Sequence, residues 1–127
     1  MKIIKLFDPI YRANLRVMIN CSFDDCRKHT LKEFNTELQE NNSLANGKAF
    51  ALSDGSYLVW VEKFNWSIDC QGVLVHELLH IAFYVIGDRG IKIDSDEDEA
   101  LAYYFEYLFN SVWNKLKPKK KSKRKTA

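Results

Sequence analysis

With 127 residues, 46% of them hydrophobic and 13% aromatic, the chain holds enough apolar material for one folded domain with a core of its own. The net charge of +2 conceals a division: residues 1–114 carry 11 basic against 17 acidic side chains, a balance of −6, while eight Lys and Arg crowd between Lys115 and Lys125. The opening MKIIKLFDPIY is broken by Lys5, Asp8 and Pro9 and does not read as a secretory signal, and no run reaches the ~18 uninterrupted apolar residues of a membrane span. A cytoplasmic protein with no membrane partner is therefore expected. Cys21, Cys26 and Cys70 then read as reduced thiols, because an isolated C-x4-C pair is a weak metal signature.

In chain order, KIIKLF reads as a first strand stopped by Asp8-Pro9, and LRVMINC (15–21) as a second. Ser22 is placed to cap a helix whose first turn holds Asp24 and Asp25, with Phe23, Cys26, Leu31, Phe34 and Leu38 on its apolar face as far as Leu38. ENNSLANGK (40–48) is a loop by composition. AFALSDGSYLVWVEKF reads as a β-hairpin about Asp54-Gly55, the pair favoured in a type I′ turn. Ser67 or Asp69 caps the next helix, which is expected to run to Ile86 with Gly87 as its terminating residue. DRGIKID is a connector. Ser95 is placed to cap a last helix with an acidic first turn, Asp96 to Glu99, and a buried stripe of Leu101, Phe105, Leu108 and Val112. The expected fold is α+β: a small antiparallel or mixed sheet packed on the second helix and closed by the C-terminal one. One domain covers 1–116, and 117–127 is a basic tail expected to be disordered.

The second helix carries VLVHELLHIAF (73–83). Positions i and i+4 share a helix face, so His76 and His80 can aim ring nitrogens at one ion, with Glu77 beside them. This is the H-E-x-x-H arrangement of zinc hydrolases. Neutral imidazoles suit Zn²⁺, zinc lowers the pKa of a bound water to ~7, and a neighbouring carboxylate can take that water's proton. The competing reading is a chance pattern in a core helix. The apolar flanks weigh against it, because three buried polar groups without partners would be costly. A third histidine does not complete the site: Phe83 and Ile86 occupy the positions of the longer H-E-x-x-H-x-x-G-x-x-H pattern, and His29 reads as a surface or core-edge residue of another helix. A carboxylate from DSDEDEALAYYFEY is the natural alternative.

HELLH, followed after a short connector by an acidic turn and EALAYYFEYL, resembles the gluzincins, in which a glutamate on the next helix completes the zinc site. Over residues 49–112 the chain also resembles the small single-domain metallopeptidase-like proteins of phages and prophages and, more distantly, the ImmA/IrrE type. The resemblance implies one Zn²⁺ per chain held by His76, His80 and Glu99, with Glu97 in reserve, and Glu77 as the catalytic base. It implies Tyr103, one turn beyond Glu99, as a stabiliser of the transition state. It also implies that SYLVWVEKF (56–64) is an exposed edge strand receiving substrate backbone. The large second domain of better-known gluzincins has no counterpart here.

The function expected is thus an intracellular zinc-dependent metallopeptidase, of a bacterium or a phage-infected cell, acting on a peptide or protein substrate. The alternative is a metal-stabilised, non-catalytic binding module. Its Lys-rich tail would contact nucleic acid weakly through phosphates, without base stacking, since no aromatic residue interleaves with the lysines.

Overall fold

Strands β1 (Lys2–Asp8) and β2 (Ala13–Ile19) form an antiparallel hairpin in the computed structural model, which describes residues 1–39, 45–96 and 98–118. The Asp8 carboxylate closes the turn, accepting the backbone N–H of Ile10 at 2.6 Å and of Tyr11 at 3.2 Å. Ser22 caps α1 (Phe23–Phe34), its hydroxyl accepting from Asp25 N at 3.0 Å. That helix ends earlier than its apolar spacing predicts. Asn35 takes a left-handed conformation, φ 50°, and Leu38 reaches the core from an irregular segment instead.

Strands β3 (Gly47–Ala51) and β4 (Tyr57–Val61) form the expected second hairpin. Its turn is not type I′: Gly55 alone is at positive φ (88°), and Leu52 pairs across to Ser56 around a three-residue loop. Strand β4 then lies parallel to β2, so the sheet is mixed with order β1-β2-β4-β3. This corrects one expectation. Residues Tyr57–Val61 are an inner strand, all five buried, and the terminal strand on this side of the sheet, with no further strand among the described residues, is β3.

The sheet is covered on both faces, which is why β4 reads as a continuous apolar run. Met18, Leu58 and Trp60 meet Cys26 of α1 on one side, where the Trp60 indole donates to Cys21 O at 2.9 Å. Leu15, Val17, Ile19, Val59 and Val61 meet α2 (Ile68–Asp88) and α3 (Glu99–Leu116) on the other.

Helix α2 is long and apolar enough by length and composition to cross a membrane, and here Leu74, Leu78, Ile81, Val85 and Ile86 of it are buried in the core. Ser67 caps it. It runs past Gly87, and the left-handed glycine that ends it is Gly90 at φ 73°, with Ile91 N bonded back to Ile86 O at 3.2 Å. Tyr57 Oη donates to Asp88 at 2.5 Å and the Arg89 guanidinium to Tyr11 O at 2.8 Å, so both hairpins hold the end of this helix.

Ser95 does not cap α3. The helix starts at Glu99 after Asp98, which makes no side-chain cap bond, so of the acidic run only Glu99 lies in the first turn. Leu108 and Val112 are buried as expected, joined by Tyr104, Trp113 and Leu116, while Leu101 and Phe105 pack at the core's margin. The α+β class with a small mixed sheet is therefore what the chain forms. The tail expected over 117–127 lies outside the described residues from 119 onward, as does Glu97.

Candidate metal centre

The sheet fixes the rotation of α2, because its apolar side chains must face β2 and β4. Residues 74, 78, 81 and 85 then point inward, and the 3.6-residue period turns His76 and His80 to the exposed side. Their Nε2 atoms stand 3.3 Å apart, with the rings nearly perpendicular at 76°. Two nitrogens bound to one tetrahedral zinc at about 2.0–2.1 Å would be separated by roughly 3.3–3.4 Å. The pair thus fits a shared ion, and without one the same spacing suits a hydrogen bond between the rings. Tyr84, one turn beyond, stacks on His80 with ring centroids 6.2 Å apart.

Glu77, about 100° around the helix from His76, falls at the boundary of the core and is 8% exposed. Its Oε1 lies 4.0 Å from His76 Nε2. Among the described residues no group hydrogen-bonds its carboxylate. Burial pushes its pKa up, against the opposing pull of His76, His80 and Lys48.

Edge strand β3 forms the roof of this position. A Cβ added at Gly47 would stand 3.0 Å from Trp60 O, 3.1 Å from Val73 Cγ1 and 3.4 Å from Glu77 Cγ. Glycine is what lets the strand come this close to the helix. A cleft of about 560 Å³ opens alongside, reaching His76 and Glu77 from the start of β3 and the first turns of α2.

The other described candidates lie on other elements. Glu99 is exposed at the first position of α3, and among the described residues no group of three or more His, Cys, Asp or Glu gathers to hold a metal. Tyr103 is 68% exposed on the same helix. His29 is half-buried on α1, which packs on the opposite face of the sheet. Cys21 and Cys26 are buried free thiols, Cys26 pushed up to about 12 by burial, as suits core residues rather than ligands.

Two contributors escaped the sequence reading. Tyr84 follows His80 at the same i+4 spacing and was legible in principle. Gly47 was not, because its meaning depends on which strand forms the edge. No family model, curated protein or solved structure matches the chain.

Proposed function

We propose that the chain is a minimal gluzincin-type zinc peptidase acting inside the cell. The observation that carries this reading is the juxtaposition of two imidazole nitrogens 3.3 Å apart with a buried carboxylate that has no hydrogen-bond partner among the described residues. A largely buried glutamate whose carboxylate oxygens still reach solvent, 4.0 Å from a metal-competent imidazole, supports a functional site at this position.

His76 and His80 would supply two ligands of the ion, and a carboxylate at the opening of α3, Glu99 with Glu97 as the alternative, would have to come to the pair to supply the third. A zinc ion bound there would acidify a water and polarise the scissile carbonyl. Glu77 would serve as the base, able to take a proton from a water there and return it to the departing amide nitrogen, so that it would begin and end as a carboxylate. The outer edge of β3 offers backbone groups to an extended peptide beside Glu77. Tyr103, exposed one turn beyond Glu99, is the candidate second donor to the oxyanion.

The test is elemental analysis of protein purified without a metal resin, wild type beside His80→Ala, Glu99→Ala and Glu97→Ala. About one zinc per chain is expected, lost with His80 and with one of the two glutamates. Folded wild type that takes up no zinc when it is offered refutes the reading. Zinc uptake with no chelator-sensitive turnover of a peptide library leaves the non-catalytic binding module.

A further inference from the structure

Among the described residues nothing in the packing requires Gly72 to be a glycine. It lies within α2, where glycine is disfavoured against alanine because it loses more backbone freedom on folding. Positive φ does not require it: the glycines at positive φ are Gly55 and Gly90. Close packing does not require it either, since a Cβ at Gly72 would meet nothing within 4 Å, in contrast to Gly47.

Its position is informative. Gly72 stands one turn before His76 on the same helix face and lines the cleft of about 560 Å³ that reaches His76 and Glu77. That volume lies within the range of ligand-binding clefts. Ala45, Gly47, Ile68 and Val73 give the cleft apolar or side-chain-free walls, and Ile68 is 86% exposed among the described residues. Asp69, also on the lining, disfavours an acidic occupant.

We infer that Gly72 determines substrate specificity, its missing side chain keeping clear the space beside His76 for a bulky apolar side chain of a peptide substrate. The inference rests on the metallopeptidase reading above. A longer residue at 72 would project into the cleft and exclude such a side chain, while small ones would still pass.

The test uses zinc-loaded full-length protein and two peptide hydroxamates identical except for a benzyl or a methyl side chain, with affinities from calorimetry. Gly72→Ala, Gly72→Leu and Gly72→Met are compared with wild type, each checked for a cooperative thermal transition. Metal-free Gly72→Ala is expected to unfold at a higher temperature than wild type. Wild type is expected to bind the benzyl probe at least tenfold more tightly than the methyl probe. Leu or Met at 72 should weaken the benzyl probe at least tenfold and leave the methyl probe within about twofold. Equal binding of the two probes by wild type, an undiminished benzyl preference in the bulky variants, or a lower melting temperature for Gly72→Ala overturns the role of Gly72 alone. Zinc-loaded wild type that binds neither probe overturns the metallopeptidase reading, and this inference with it.

Discussion

Replacing Gly47 with alanine tests the seat of Glu77 most directly. The new methyl would lie 3.0 Å from Trp60 O and 3.1 Å from Val73 Cγ1, inside the 3.5–4.0 Å of ordinary carbon contacts. The Trp60 carbonyl belongs to an inner strand paired on both sides, so relief must come from α2, at Val73 and Glu77. Overpacking of this kind costs about 1–3 kcal/mol, offset by about 0.4–1 kcal/mol from the lower entropy of the unfolded chain. The net loss of about 0–2.6 kcal/mol should lower the melting temperature by up to about 10 °C in a domain of this size. In urea the midpoint should fall with the slope unchanged. Zinc content should hold while peptide turnover drops several-fold, because the displacement falls on the turn that carries Glu77. Removing the opposing side chain, in Gly47→Ala with Val73→Ala, should give a loss smaller than the sum of the two single losses. Gly47→Ala clearly more stable than wild type would refute the close approach of β3 to α2, and with it the account of how Glu77 is held.

Glu77→Gln separates the cost of the carboxylate from its use. Burial raises the Glu77 pKa above its unfolded value, so the charged form costs stability above the folded pKa, and that stability returns as pH falls through it. The metal-free variant should therefore melt higher than wild type at pH 8, with the gap closing toward pH 4. It should keep its zinc and lose about 10²–10⁴-fold in hydrolysis, and a wild type that is the more stable at pH 8 contradicts the burial argument. The thiols form a second internal control. Burial pushes Cys21 up and Cys26 to about 12, while the Ser67 hydroxyl and then the Asn65 backbone lower Cys70. A thiol reagent at pH 8 should label one cysteine rapidly and the others only on unfolding. Cys70→Ser should abolish the fast phase, and fast labelling that persists would show the core to be open.

Most elements announced themselves through local chemistry. Ser22 and Ser67 cap the helices they were expected to cap, and the Asp54-Gly55 stretch turns a hairpin. The errors lie where tertiary context decides. Glycine after an apolar run reads as a terminator, yet Gly87 stays helical, because core contacts at Val85 and Ile86 hold the last turn and Gly90 supplies the left-handed residue. The wholly acidic first turn expected of α3 shrinks to Glu99, since carboxylates favour a helix start without dictating which of them begins it. Strand order was the least legible feature. Tyr57–Val61 is apolar at every position, and only the parallel pairing of β4 with β2 reveals that it lies inside the sheet and leaves β3 at the edge. That reversal moves the terminal strand of the sheet from β4 to β3 and brings Gly47 beside Glu77.

The spacing of the motif and the packing of the helix impose one geometry between them. Two residues four apart differ by about 40° around a helix, and a neighbour differs by about 100°. Once His76 and His80 are turned outward together, Glu77 must fall at the margin of the buried face. The core contacts at Leu74, Leu78 and Ile81 ensure that rotation. An apolar residue at 77 would suit this margin better, as those leucines show, and burying a carboxylate there without a hydrogen-bond partner among the described residues lowers stability. A structural metal held by the two histidines would give no reason for that cost, because it needs no base. On the proposed reading a reacting water does, and Glu77, set at the boundary between the exposed imidazoles and the edge of the sheet, would be placed to serve it.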